Sequence, residues 1–143
     1  MANVVTIQTL QDGPRNVKVK LVGTLDTAGA IAATDLIDPA LLGPIDNYNN
    51  RLATQLGIKA IAYSVSPGIT VTLYWDATAD VQILSMSDAD HFCLEYSQPL
   101  QNNAGAGKTG KIQYAVNIAT TISATNVQAF SVVLDLVKQT SIA

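Results

Sequence analysis

The chain is short both of the residues that carry out chemistry and of those that build helices. Its 143 residues include one Cys (Cys93), one His (His91) and one Glu (Glu95), and only 13% are charged. A single cysteine excludes an internal disulfide, and one His with one Cys cannot complete a His/Cys zinc site. Nucleophilic catalysis is equally poorly provided for, since there is no Gly-x-Ser-x-Gly elbow and no sequence signature around Cys93. The expectation is a protein that is not an enzyme, with no catalytic set, no cofactor and no metal. Lys and Arg number 8 against 11 Asp and Glu, for a net charge of −3. Nucleic acid is therefore not an expected partner, because phosphate binding needs clustered cations. No apolar run approaches the roughly 18 residues of a membrane span, and Met1-Ala2-Asn3 has neither the basic start nor the apolar core of a signal peptide. A soluble protein made in the cytoplasm, with no membrane partner, is expected.

What is present points to strands. Hydrophobic residues make up 48%, and there are 13 Val, 12 Ile and 14 Thr, a β-branched excess that favours pleated sheets over helices. The length suits one domain spanning residues 1–143. Asn3 to Leu10 reads as a strand with Val5, Ile7 and Thr9 on one side, and Asp12-Gly13-Pro14 turns it into a hairpin. From Arg15 to Leu25, Val17, Val19 and Leu21 alternate with Asn16, Lys18 and Lys20, the period of two of a half-buried strand. Asp26 to Asn50 loses all periodicity and reads as one long loop, within which Asp38-Pro39 can cap a short helical turn ended by Gly43-Pro44. A loop this long is usually functional or docked, which makes it the expected contact element.

Ile58 to Ser66, with Ile61, Tyr63 and Val65 on one face, and Ile69 to Trp75 read as a second hairpin across Pro67-Gly68. Val81 to Met86 and His91 to Tyr96 are shorter strands separated by a Ser87-Asp88-Ala89-Asp90 turn. Leu100 to Gly110 is a Gly-rich loop before the strand Lys111 to Ala119, which carries Ile112, Tyr114, Val116 and Ile118 on one face. The last strand, Val127 to Lys138, sets Phe130, Val132, Leu134 and Leu136 on one side and Gln128 and Asp135 on the other. About eight strands with turn residues between them make an all-β, jelly-roll-like sandwich with one long loop.

Three constellations could carry chemistry. Asn102 to Thr109 ends in Gly-Lys-Thr like a phosphate-binding loop, but its first glycine is missing and a strand follows where the phosphate site needs a helix. A flexible turn is the plainer reading, and a nucleotide hydrolase using Lys108 is the enzyme alternative. Asp88, Asp90, His91, Cys93 and Glu95 gather ligand types in eight positions. On a strand His91, Cys93 and Glu95 share a face, and calcium between the aspartates is conceivable without matching the EF-hand order. The plainer reading is a polar turn leading into a strand whose Cys93 is core. Trp75, Tyr74, Tyr63 and Tyr114 could form a sugar platform, but Trp75 follows the Val71 and Leu73 face and reads as a core anchor, leaving Tyr74 as the surface residue.

Three blocks resemble those of small virion proteins of tailed bacteriophages: Arg15 to Leu21, Ile69 to Thr78 with its Trp-Asp-Ala-Thr end, and Leu100 to Gly110 with its Gly-rich turn. Their order also matches, and together they cover about a fifth of the chain. Such proteins are similar to capsid decoration, or cement, proteins, β-sandwiches that sit on the outer capsid and hold neighbouring capsomers together. The resemblance implies a virion structural protein whose partners are the major capsid protein and copies of itself, in a homo-oligomer such as a trimer. A neck or tail component is the second reading, and a carbohydrate-binding sandwich using Tyr74 and the Gly-rich loop is the alternative of another class. The expected contact elements are the Asp26–Asn50 loop and the apolar ends, Met1 to Val5 and Ser141 to Ala143.

Overall fold

A computed structural model describes residues 3–26, 30–45, 52–94, 99–118 and 125–139. Within these the chain forms β1 (Val4–Asp12), β2 (Asn16–Leu25), β3 (Ile31–Ile37), a 3-10 turn (Pro39–Leu41), β4 (Gln55–Val65), β5 (Ile69–Trp75), β6 (Val81–Met86), β7 (Asp88–Cys93), β8 (Ile112–Ile118) and β9 (Gln128–Gln139). The strands pair antiparallel in two sheets, one ordered β1-β2-β9-β4-β7 and the other β3-β8-β5-β6. With β1 set aside, two four-stranded sheets remain whose chain crosses from one to the other at nearly every connection. This is jelly-roll connectivity, and β1 is a fifth strand added to one edge of it.

The core follows from the period-two pattern. Val17, Val19, Leu21 and Leu25 of β2 and Phe130, Val132, Leu134 and Leu136 of β9 are all at most 2% exposed. They meet Ile69, Val71, Leu73 and Trp75 of β5 and Ile112, Tyr114 and Val116 of β8 in one cluster. Each fully buried aliphatic side chain contributes about 1.5–3 kcal/mol by leaving water. A slip of one residue would turn a whole strand inside out, so these two-faced strands hold their register firmly.

Four expectations need correction. The Asp26–Asn50 segment is not one loop, because it contains β3. That strand buries only Leu36 and Ile37, and its middle is exposed Ala, Thr and Asp, so it has no alternation to read. The short turn inside the segment does form as expected, with the Asp38 carboxylate accepting the Ala40 N–H at 3.0 Å.

The Ile58–Ser66 and Ile69–Trp75 runs are strands, but they are not hairpin partners. β4 lies between β9 and β7, and β5 lies between β8 and β6, so Pro67-Gly68 is a corner between sheets. The corner is tied to β9, where Ser66 donates its N–H to the Ala129 carbonyl and its hydroxyl accepts the Ala129 N–H. Asp88 to Asp90 belong to β7 and not to a turn, which shrinks to Ser87 with Asp88 at φ 61°. Gln128 shares the inward face of Phe130, is buried, and accepts the Gly68 N–H through its side chain at 3.1 Å. Parity along the strand dictates this, and the hydrogen bond compensates for burying the amide.

Candidate functional site

The Ile69–Thr78 and Leu100–Gly110 blocks meet in space. The Thr109 hydroxyl donates to the Asp76 carboxylate at 2.7 Å, the Thr109 N–H donates to the Asp76 carbonyl, and the Thr78 N–H donates to the Ala106 carbonyl. The Gly-rich loop is therefore laid against the end of β5 and runs directly into β8. Lys108 is exposed, and no helix follows it to offer converging N–H groups to a phosphate.

The glycines of this loop serve backbone geometry. Gly107 and Gly110 have φ of +78° and +84°, and a Cβ at Gly110 would stand 2.0 Å from the Thr54 carbonyl oxygen. That oxygen belongs to the backbone just ahead of β4, so it cannot swing away. Gly110→Ala should cost at least ~1–3 kcal/mol through backbone strain alone, whereas Lys108→Ala should leave the melting temperature unchanged. Thermal unfolding of both variants checks this, and saturable magnesium-dependent nucleotide binding lost in Lys108→Ala would contradict the loop's structural role.

The acidic cluster does not converge. Asp88, Asp90, His91 and Cys93 lie along β7, and all four are exposed; Glu95 and Tyr96 lie outside the described residues. Among the described residues, no three His, Cys, Asp or Glu side chains come close enough to hold a metal ion. Cys93 is not core. It pairs with Ala60 while His91 pairs with Ala62, on the outer face of the five-stranded sheet. The expectation placed it inward because free cysteine is usually buried. Here residue parity decides, and the inward positions of this strand are Asp88 and Asp90, opposite Val65 and Tyr63.

The aromatic residues are likewise dispersed. Trp75 and Tyr114 are buried between the sheets at 2% and 4% exposure, and burial pushes the Tyr114 phenol above its ordinary pKa. Tyr74 is half-buried on the opposite face of β5, and Tyr63 belongs to the other sheet. The four residues do not form one platform.

What the fold does present is a pinned apolar tip. Leu41, at the end of the 3-10 turn, is 84% exposed. Just beyond it the chain is held by a three-way node. The Lys138 ammonium, 1% exposed, donates to Asp12 Oδ1 at 2.6 Å and to the Gly43 carbonyl at 2.7 Å, while the Gly43 N–H donates to Asp12 Oδ2 at 2.8 Å. Desolvation, the largest single influence on Asp12, pushes its pKa up, but the bonds from Lys138 and Gly43 together outweigh it and hold the carboxyl below its ordinary value. The node ties the end of β1 and the end of β9 to the segment that carries Leu41. An exposed counterpart joins β3 to β8, where Asp35 accepts from Gln113 at 2.8 Å and Lys111 at 3.2 Å. These two bonds, Gln113's being the stronger influence, lower the Asp35 pKa.

Sequence reasoning found the Asp38 cap and missed the node. Asp12 looks like a turn residue and Lys138 like the end of a strand, and no local signal joins residues 126 positions apart. No family model matches the chain, and no curated protein matches it.

Proposed function

We propose that the chain is a structural protein of a tailed-bacteriophage particle, a capsid decoration (cement) protein that binds the major capsid protein and copies of itself in the virion without catalysis. The observation that carries this reading is Leu41. A leucine held out into water by a capped turn, on a segment tied down by a half-buried ion pair, is a preorganised anchor for a partner's pocket. The Asp38 cap and the bonds to Gly43 hold the turn before binding, so less of the contact energy goes into ordering it.

Supporting this reading, the chain has a two-sheet body, and two of the three blocks behind it, Ile69–Thr78 and Leu100–Gly110, form one structural corner rather than a ligand site. The work of such a protein is burial of area repeated many times. About 800 Å² per partner suffices for a specific contact, and linking copies multiplies avidity without new contacts. Binding only the assembled shell stabilises it by mass action.

The test is cosedimentation with phage capsids that lack this protein, followed by a thermal disruption curve. Protection should rise with added protein and plateau when the sites fill. Leu41→Asp should weaken capsid binding by at least about tenfold, the ~1.4 kcal/mol or more expected on losing an interface anchor, with its melting temperature unchanged. No cosedimentation at saturating protein would reject the decoration role, and binding to purified tails instead would establish the neck or tail reading.

A further inference from the structure

Over Val4 to Thr9, ahead of a bulge at Leu10, β1 is an unguarded sheet edge. The other three edges each carry a feature that discourages a further strand. β7 carries the exposed carboxylates Asp88 and Asp90 at positions opposite Val65 and Tyr63, β3 has two register irregularities and the Asp35 ion pair, and β6 is six residues long, carries a bulge at Ile83, and lies beside Leu100, Gln101 and Asn103. Inward charges, bulges, shortness and loop cover are the usual defences against edge-to-edge pairing. β1 is nine residues long, regular as far as Thr9, and residues 3–11 contain no charge. Among the described residues no strand pairs on its outer side.

The hydrogen-bond polarity of that outer side follows from two bonds at the foot of β2. The Arg15 carbonyl accepts from Lys138 N–H on the β9 side, and the Asn16 carbonyl accepts from Gly13 N–H on the β1 side. Backbone groups alternate sides along an antiparallel strand, so the even-numbered residues of β2 bond to β1. Their partners are Val4, Thr6 and Gln8, opposite Thr24, Val22 and Lys20. Val5, Ile7 and Thr9 therefore turn their N–H and C=O groups outward, unused within the chain's own ladder.

The same three residues lie opposite Gly23, Leu21 and Val19, so their side chains project toward the inward face. The five-stranded sheet is one strand wider than its partner sheet, and Ile7 remains 42% exposed there.

The geometry points to a second copy of this chain as the occupant of this edge, through antiparallel pairing of β1 with β1 of the partner about a two-fold axis at Ile7. Ile7 faces the partner's Ile7, and Val5 faces the partner's Thr9, in each case as reciprocally bonded pairs. This register uses every outward backbone group from Val5 to Thr9, sets apolar side chains together on the inward face, and brings no like charges opposite one another. An edge guarded by aspartates could not pair with itself in this way. A two-fold contact closes on itself and gives a dimer, not a trimer or a fibre. The proposal rests on the reading of the chain as a self-associating structural protein. Its test uses the isolated protein, so it can fail while capsid binding holds, or hold while capsid binding fails.

The experiment is sedimentation equilibrium over a dilution series, with far-UV circular dichroism and Trp75 fluorescence to report folding. The wild type should reach twice the 15.1 kDa chain mass. Ile7→Pro removes an N–H that bonds to none of the described residues, a position where edge strands tolerate proline, and should give a folded monomer. Ile7→Lys keeps the N–H but sets two cations at the axis, and should also give a folded monomer, which settles the matter if the proline variant fails to fold. In the wild type, amide exchange at Val5, Ile7 and Thr9 should be slow and should become fast in the lysine variant. A monomeric wild type, a trimer, or a dimer that survives Ile7→Lys would each overturn the proposal.

Discussion

Trp75→Ala should destabilise the protein by about 3–5 kcal/mol, the cost of truncating a large aromatic in a packed core. Trp75 is 2% exposed at the end of β5, where it continues the inward row of Ile69, Val71 and Leu73 and pairs across the ladder with Ile112. Removal leaves a void that strands hydrogen-bonded on both sides cannot collapse to fill. The next residue, Asp76, receives the Thr109 hydroxyl and N–H, so loosening this strand end also frees the Gly-rich loop. Such a loss is a large share of the 5–15 kcal/mol that holds a typical domain together. Trp75 is the only tryptophan, so its emission in the wild type reports its own burial, while far-UV circular dichroism follows the unfolding of the tryptophan-free variant. The folded wild type should emit like a buried indole, and the denaturant midpoint of Trp75→Ala should fall steeply. A solvent-exposed emission maximum in the wild type, or an unchanged midpoint in the variant, would contradict the placement.

The parts of this fold that can be read in the sequence are those where one strand face is dry and the other wet. β2, β8 and β9 announce themselves through Val17-Val19-Leu21, Ile112-Tyr114-Val116 and Phe130-Val132-Leu134-Leu136, because burial selects every second residue. β3 does not, since four of its seven residues are solvent-facing Ala, Ala, Thr and Asp in a row and neither face is uniform. Partner choice is harder still. β4 and β5 follow one another through Pro67-Gly68 with the composition of a hairpin, yet each belongs to a different sheet, and only the rest of the chain decides which edges are free. The contact elements divide in the same way. The turn at Asp38-Pro39 is local chemistry and legible. The exposure of Leu41 depends on what packs around it, and the outward backbone groups of β1 depend on which side β2 takes. Of the apolar ends, Met1, Ala2 and Ser141 to Ala143 lie outside the described residues.

Breaking the node beneath Leu41 should be nearly as costly as losing Trp75. Asp12→Ala leaves the Lys138 ammonium buried with, among the described residues, the Gly43 carbonyl as its remaining partner. Stranding one member of a buried ion pair costs about 3–5 kcal/mol. The Asp12 side chain is 31% exposed, so water reaches that side of the node and the lower end, about 3 kcal/mol, is expected. Lys138→Met should behave differently, because it replaces the buried charge with an apolar chain of similar length and leaves Asp12 free to hydrate; a change within about 1 kcal/mol is expected. The pH dependence has a definite sign. The Asp12 pKa is lowered in the folded state, so its contribution is complete above the unfolded value of about 3.9 and disappears as pH falls through the folded value. Asp35, also lowered, acts in the same direction, so the wild type should lose stability between about pH 5 and pH 2. Asp12→Asn should lose less over that interval, because one of the two linked carboxyls is gone. Urea unfolding of the wild type, Asp12→Ala, Asp12→Asn and Lys138→Met at neutral and acidic pH measures each difference. Equal midpoints for Asp12→Ala and wild type, or a greater loss for Lys138→Met than for Asp12→Ala, would show that the ion pair does not hold this corner. Because Gly43 bonds both members of the pair, Asp12→Ala should also release the segment that presents Leu41. On the proposed function, its capsid affinity should then fall together with its stability, whereas Leu41→Asp should lower affinity alone.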